Sequence, residues 1–313
     1  MLMVNYDEGL KVIDFKEFLS KLRNDIYYME ESKLIIPDRT ILRLNQLEAV
    51  WLLMPIADMA KNKILFKTVS EYKKNVYKNL PKATGYSMLI NLNTGEILGL
   101  FDSNLITGLR TGALNGLAVD ILSRKDSSKL GVIGSGFEAR WLTVFTLQVR
   151  DINEIKVYSP NPSHRKEFVN IFNSIVNTKD FENPKEVTNS DIIITATNSK
   201  DPVLYGDWIR EGTHISSIGT LPDRRELDVS VIKRANLIVA DYKKFVVKEA
   251  GDILYALNNS VINYEKILEL NDIIKGKISV KRSNEDITLY KSVGYAFLDL
   301  VAAEYLYEKF SKT

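Results

Sequence analysis

The apolar positions of the chain change rhythm near residue 119. Before it, Phe15, Phe18, Leu19, Leu22 and Ile26 recur at a helical period, predicting an amphipathic helix. The runs AVWLLMP from residue 49 and KILFKTVSEY from residue 63 predict strands. YSMLINLNTGEILGLFD places two apolar runs around Asn93-Thr94-Gly95, a hairpin signal. The first part is therefore expected to be α+β, with an antiparallel sheet.

After residue 119 the apolar runs become short and continuous. KLGVIGSG, EIKVYSP, SDIIITAT, THISSIG and ANLIVAD alternate with helical or irregular stretches such as FEARWLTVFTLQVR and SHRKEFVNIFNSIV. Strands buried on both faces look like this, so a parallel sheet covered by helices is predicted. The tail KSVGYAFLDLVAAEYLYEKF predicts a helix with Val293, Phe297, Leu300 and Val301 on one stripe.

TGLRTGALNGLA, residues 107–118, is helical in pattern yet carries Gly108, Gly112 and Gly116. Each glycine there costs about 1 kcal/mol against alanine. At a spacing of four they share one helix face. That bare face is expected to let a neighbouring element or a ligand lie against the backbone, with Arg110 and Thr111 directed to the ligand.

Composition removes several chemistries. The 313 residues contain no cysteine and two histidines, His164 and His214, so thiolate, disulfide and histidine-built metal sites are not expected. The net charge of +2, without a basic block, gives no reason to expect a nucleic-acid or membrane partner. No signal peptide and no run of about 18 apolar residues is read, so a cytoplasmic protein is expected.

The strongest local motif is GVIGSGFEA. Gly134, Gly136 and Ala139 follow an apolar strand, open a helix and lead to a second strand. This is the context of the G-x-G-x-x-G/A dinucleotide turn, in which backbone amides approach a pyrophosphate. Ser135, Phe137 and Glu138 belong to the same turn. Beyond the second strand, VYSPNPSHR lacks the acidic residue usual in NAD sites. Asn161, Ser163, His164 and Arg165 supply donors and a positive charge there, favouring NADP with NAD possible; helix capping by Ser163 is the plain alternative.

Taken in order, Pro37-Asp38-Arg39-Thr40, Leu53-Met54-Pro55 with Lys67, LITGLRTGALNGLA, GVIGSGFEA, ATNSKDPV, IGTLPDRRELD, EAGDI and ITLYKSVG resemble the ornithine cyclodeaminase/mu-crystallin family over most of the chain. The resemblance implies an α/β protein. An α+β substrate-binding and dimerisation domain, residues 1–116 with 290–313, would surround a Rossmann-type NAD(P)-binding domain, residues 117–289. It implies a homodimer and a small amino-acid or imino-acid substrate. Arg39, Lys67 and Arg110 match positions that hold the substrate carboxylate, which suits bidentate arginine and a lysine point charge able to exchange a proton. Arg110, Thr111, Thr195, Thr197, Ser217, Gly219, Lys291 and Gly294 match cofactor contacts, and Ser199 follows the same strand as Thr195. Glu249 and Asp252 of EAGD suit a helix cap as well as a site.

One position departs from the family pattern. Cyclodeaminase and alanine dehydrogenase members carry an aspartate six residues before the glutamate of REL; here the glutamate is Glu226 and the position is Thr220. A threonine hydroxyl orients by hydrogen bonding and does not titrate near neutrality. Reduction of an already protonated imine asks no more. The expected function is therefore NAD(P)-dependent oxidoreduction of a small amino or imino acid, of the ketimine reductase or alanine dehydrogenase kind, with Lys67, Thr220 and Asp223 as catalytic candidates. The alternatives are ornithine cyclodeamination, with Asp223 standing in for the missing acid, and a non-catalytic ligand-binding protein of the mu-crystallin type.

Overall fold

The computed structural model describes residues 1–78 and 80–311. The chain divides into two compact units, Met1–Thr111 with Tyr295–Thr313, and Gly112–Gly294. The division falls inside one long helix rather than after residue 116, and before Tyr295 rather than before residue 290.

In the first unit, β1 (Leu2–Val4), α1 (Tyr6–Lys11) and α2 (Phe15–Tyr27) precede β2 (Leu34–Ile35), β3 (Thr40–Leu44), β4 (Ala49–Asp58), β5 (Lys63–Tyr72), β6 (Ala83–Thr84), β7 (Tyr86–Asn91) and β8 (Ile97–Asp102). The sheet runs β1-β8-β7-β5-β4-β2, with β3 on β4 and β6 on β5. Its pairings are antiparallel except β1 on β8, which is parallel. The helix α2 forms because Asp14 caps it through the amides of Lys16 and Glu17 and because Phe18, Leu19, Leu22 and Ile26 bury one face.

The long helix α3 (Ser103–Leu122) begins where Asp102 accepts from the amides of Asn104 and Leu105. Its length and mean hydropathy of 1.2 would suffice to cross a membrane, contrary to the sequence-based expectation that no such stretch exists. Of its most apolar window 83% is buried inside the protein, as in a core helix.

The second unit continues with β9 (Lys129–Ile133), α4 (Phe137–Val149), β10 (Glu154–Tyr158), α5 (Pro162–Phe172), β11 (Asn177–Phe181), α6 (Pro184–Val187), β12 (Ile192–Thr195), β13 (His214–Ser217), α7 (Val229–Arg234), β14 (Leu237–Ala240), α8 (Lys243–Glu249), α9 (Gly251–Asn258), β15 (Ile267–Glu269), α10 (Leu270–Ile274) and β16 (Thr288–Lys291). All pairings are parallel, in the order β11-β10-β9-β12-β13-β16-β14-β15. Strand order reverses between β9 and β12, the switch point at whose carboxyl ends such sheets bind ligands. Its core is built from Leu130, Val132, Leu142, Ile155, Val157, Phe168, Ile192 and Ile194.

The chain then returns to the first unit as α11 (Ala296–Ser311), which contacts α2, β4, β5 and β7. The predicted tail helix starts late. Lys291 ends β16, and the Val293 and Gly294 amides donate to Asp241 at 3.1 and 2.6 Å, which keeps that segment out of a helix. Val293 therefore lies outside the helical stripe, and α11 is buried all round from Ala296 to Leu306.

Candidate active site

The first unit gathers cations around a carboxylate. Lys67 lies in β5 opposite Met54 and Ser87. Its ammonium donates to Thr107 Oγ1 at 2.5 Å and to Asp299 Oδ1 at 2.7 Å. Arg110 Nε donates to the same Asp299 oxygen at 3.1 Å. The Lys67 and Asp299 side chains are wholly buried, and Arg110 is 10% exposed. Among the described residues, Asp299 Oδ2 has no hydrogen-bond partner. One carboxylate oxygen thus anchors two cations from two elements. Such a buried pair persists only when paired and hydrogen-bonded.

Arg39 stands just before β3, half-buried. Thr40 pairs with Leu53, and Leu53 with Thr68. Arg39 thus adjoins the first residue of β3, and β3 and the Lys67 strand β5 flank β4. Asp299 is absent from the sequence-based candidates, although a lone carboxylate in the apolar run YAFLDLVAA is the signal that marks it.

The second unit carries the glycine turn. Gly134 follows β9 at φ +110°, and a Cβ there would lie 2.2 Å from the Ala196 carbonyl oxygen after β12. Only glycine satisfies both demands. Gly136 is the N-cap of α4, without a side-chain cap, and a Cβ there would meet open space. Ser135 and Ala139 are buried beneath it. A helix N-terminus left without a side-chain cap beside open space fits an anionic pyrophosphate.

Other matched residues face inward. Arg165 is 5% exposed; its guanidinium donates to the Ser159 carbonyl at 2.8 Å and to Asp180 at 3.3 Å. It ties the end of β10 to β11, so the positive charge expected beside a 2′-phosphate is already engaged. Asn161 caps α5 by accepting from the Ser163 amide, and its amide nitrogen lies 3.4 Å from His164 Nε2. Thr195 and Ser217 hydroxyls and the Thr197 and Gly219 amides all donate to Glu226. Lys291 donates to Asp252 at 2.7 Å and to Ser217 at 2.8 Å. Burial holds the Asp252 carboxyl above its ordinary range, against the opposing pull of Lys291. The Gly294 amide is held by Asp241. Thr111 Oγ1 is buried without a hydrogen-bond partner among the described residues.

Thr220 is half-buried and Asp223 exposed on the loop after β13. Gly251 of the EAGD segment explains that motif: a Cβ there would lie 2.2 Å from the Arg224 carbonyl oxygen and 2.7 Å from that of Pro222. The glycine admits the Thr220 loop against α9. Gly112 has a similar duty. Its Cβ would lie 2.5 Å from Phe145 Cδ2 and 2.8 Å from the Trp141 carbonyl oxygen. The bare position thus serves close packing on α4, not a ligand.

The residues from 8 to 313 match the model of the ornithine cyclodeaminase/mu-crystallin family. Similar chains include a Δ1-pyrroline-2-carboxylate reductase of Bacillus cereus, 30% identical over 99% of this chain and 96% of that one. An alanine dehydrogenase of Archaeoglobus fulgidus is 34% identical over 77% of this chain and 75% of its own. The solved structure of Thermococcus litoralis Δ1-pyrroline-2-carboxylate reductase with NADH and L-proline superposes with a TM-score of 0.95 at 36% identity, covering 100% of this chain and 98% of that one. Fold and site together define an NAD(P)-dependent oxidoreductase of small amino or imino acids. The chain belongs to the ornithine cyclodeaminase/mu-crystallin family.

Proposed function

We propose that the protein reduces a small cyclic imino acid of the Δ1-pyrroline-2-carboxylate kind to the corresponding amino acid. The single observation that carries this is the buried Lys67–Asp299–Arg110 cluster: two cations on one carboxylate leave a net positive charge to receive one substrate carboxylate. Arg39, half-buried just before β3, adds a second guanidinium to that clamp. The bound dinucleotide supplies the hydride to the imine carbon, and the nitrogen retains its proton, giving the amine. Thr220 orients by hydrogen bonding, which suffices for an already protonated imine. The likeness to reductases acting on this imino acid supports the reading over cyclodeamination. Exposed Asp223 offers no sheltered acid in place of an aspartate at 220.

For the cofactor, Gly134 to Ala139 hold the pyrophosphate. With Arg165 engaged elsewhere and no acid at the end of β10, the ribose meets the neutral groups of Asn161 and Ser163 and the ring of His164. NADH is then used at least as well as NADPH. The protein acts as a homodimer; Ile41, Leu42 and Leu44 of β3 and Phe66 of β5 are exposed apolar side chains of the first unit available to a second copy.

The test is direct. Purified protein is mixed with NADH or NADPH and a panel of cyclic imino acids, keto acids with ammonia, and, in the reverse direction, proline, alanine and ornithine with NAD. Loss of nicotinamide absorbance with the cyclic imino acid is expected. Turnover of ornithine to proline and ammonia, without imine reduction, would refute the reading.

A further inference from the structure

We propose that Glu226 is the positioning residue of the dinucleotide-facing end of the second unit's sheet, and that through Gly219 it sets where Thr220 is held. This rests on the reading that residues 134–139 seat a dinucleotide. The Glu226 side chain is buried, with the residue only 1% exposed, and four donors reach it. Oε2 accepts from Thr195 Oγ1 at 2.9 Å, Ser217 Oγ at 2.9 Å and the Gly219 amide at 2.8 Å. Oε1 accepts from the Thr197 amide at 2.5 Å. Thr195 ends β12 and Ser217 ends β13. One carboxylate therefore ties the carboxyl ends of two adjacent central strands, together with the segments that leave them, where parallel sheets bind ligands.

A plain cross-link would not dictate the residue at 219. Here a Cβ on Gly219 would lie 2.6 Å from Glu226 Cγ and 2.7 Å from Cδ. The glutamate stem presses on the backbone one residue before Thr220. On the other side, Gly251 admits the carbonyls of Leu221, Pro222 and Arg224. Between these contacts Leu221 is held at φ +86°, a region disfavoured for a residue with a branched, bulky side chain. Backbone strain persists only where the surroundings over-determine it. Ser217 extends the network to Lys291, whose ammonium also pairs with Asp252, so a buried cation stands behind the carboxylate.

The experiment is NADH titration in the absence of substrate, followed by steady-state kinetics, for the wild type, Glu226→Gln, Gly219→Ala, Glu226→Ala and the Gly219→Ala/Glu226→Ala double variant. Glutamine keeps the shape but turns one acceptor into a donor facing backbone N–H groups. NADH affinity is expected to fall about 10- to 100-fold, the loss of a charged buried hydrogen bond. The KM for the imino acid should stay unchanged while kcat falls, and the discriminating readout is the shifted NADH midpoint, because general loss of folded protein lowers the binding amplitude and the apparent kcat without moving that midpoint. Gly219→Ala alone should reproduce the defect. In the Glu226→Ala background, where the stem no longer fills the space, it should add nothing, giving a non-additive cycle. Wild-type NADH affinity in Glu226→Gln, or independent effects of the two alanine substitutions, would overturn the proposal. If Glu226→Gln fails to fold, the Gly219→Ala titration decides alone. A wild type that binds NADH but reduces no imino acid rejects the substrate reading and leaves this test standing.

Discussion

Lys67 Nζ lies 2.7 Å from Asp299 Oδ1, and neither side chain reaches solvent. Residue 67 sits mid-strand in β5 and residue 299 in the first turn of α11, so the last helix of the chain supplies the counterion for a cation in the first unit's sheet. Removing one member of such a pair leaves an uncompensated buried charge, which costs about 3–5 kcal/mol. Asp299→Asn should therefore lower unfolding free energy by that order in denaturant titration. Adding Lys67→Met should restore part of the stability, Arg110 still lacking its counterion, but no activity. A double variant as unstable as Asp299→Asn alone would show that the pair is not the source of the loss.

Arg110 shares the Asp299 oxygen through Nε. Lysine in its place keeps a charge but loses the planar fork. Arg110→Lys should raise the imino-acid KM by about 10-fold or more, the scale of one charged hydrogen bond, with NADH affinity unchanged. An unaltered KM would remove Arg110 from the carboxylate clamp.

Thr220→Val deletes the hydroxyl while keeping the side-chain volume. If orientation is all that the hydroxyl provides, imine reduction should fall by roughly one net hydrogen bond, about 10-fold or less in kcat. A loss of several orders of magnitude would mean that Thr220 transfers a proton.

The two sheet types and the glycine turn were legible because period, strand length and G-x-G spacing are local properties. The charge partners were not. Arg165 reads as a cofactor donor from its place after β10, yet its guanidinium turns back to Ser159 and Asp180. Asp180 lies in β11, whose polar sequence NTKDF gives no strand signal. Glu226 reads only as a landmark, because its four donors come from segments up to 31 residues away. Gly112 shows the same limit. Its spacing reveals a bare helix face, but only the fold shows that Phe145 and the Trp141 carbonyl fill it.

That packing is testable by itself. Gly112→Ala places a methyl within 2.8 Å of a backbone oxygen that cannot rotate away. Overpacking of this kind costs about 1–3 kcal/mol, offset in part by the better helix propensity of alanine. Net destabilisation is expected by thermal or denaturant unfolding. A variant as stable as the wild type would show that α3 and α4 can separate without loss.

His214 supplies a pH dependence of stability. It is completely buried in β13, with Nδ1 2.9 Å from Thr288 Oγ1 and Nε2 3.1 Å from Ser216 Oγ. Burial, reinforced by the Arg282 and Arg150 charges, pushes its pKa down from 6.5 to about 3. Between those two values the unfolded chain binds a proton that the folded chain refuses, so stability rises with pH across that window. The contribution is complete above pH 6.5 and is lost progressively as pH falls towards 3, by up to about 1.4 kcal/mol per pH unit. Most carboxylates titrate below pH 5, and Asp252 and Glu304, whose pKa values burial raises, are common to the wild type and a His214 variant, so the difference between the two proteins over the interval from pH 6.5 to 5 isolates residue 214. Urea midpoints should therefore fall over that interval in the wild type. In His214→Gln, where no group at 214 titrates, the fall towards pH 5 should be smaller than in the wild type, whatever the absolute stability of the variant. Equal slopes in the two proteins would show that another group carries the dependence.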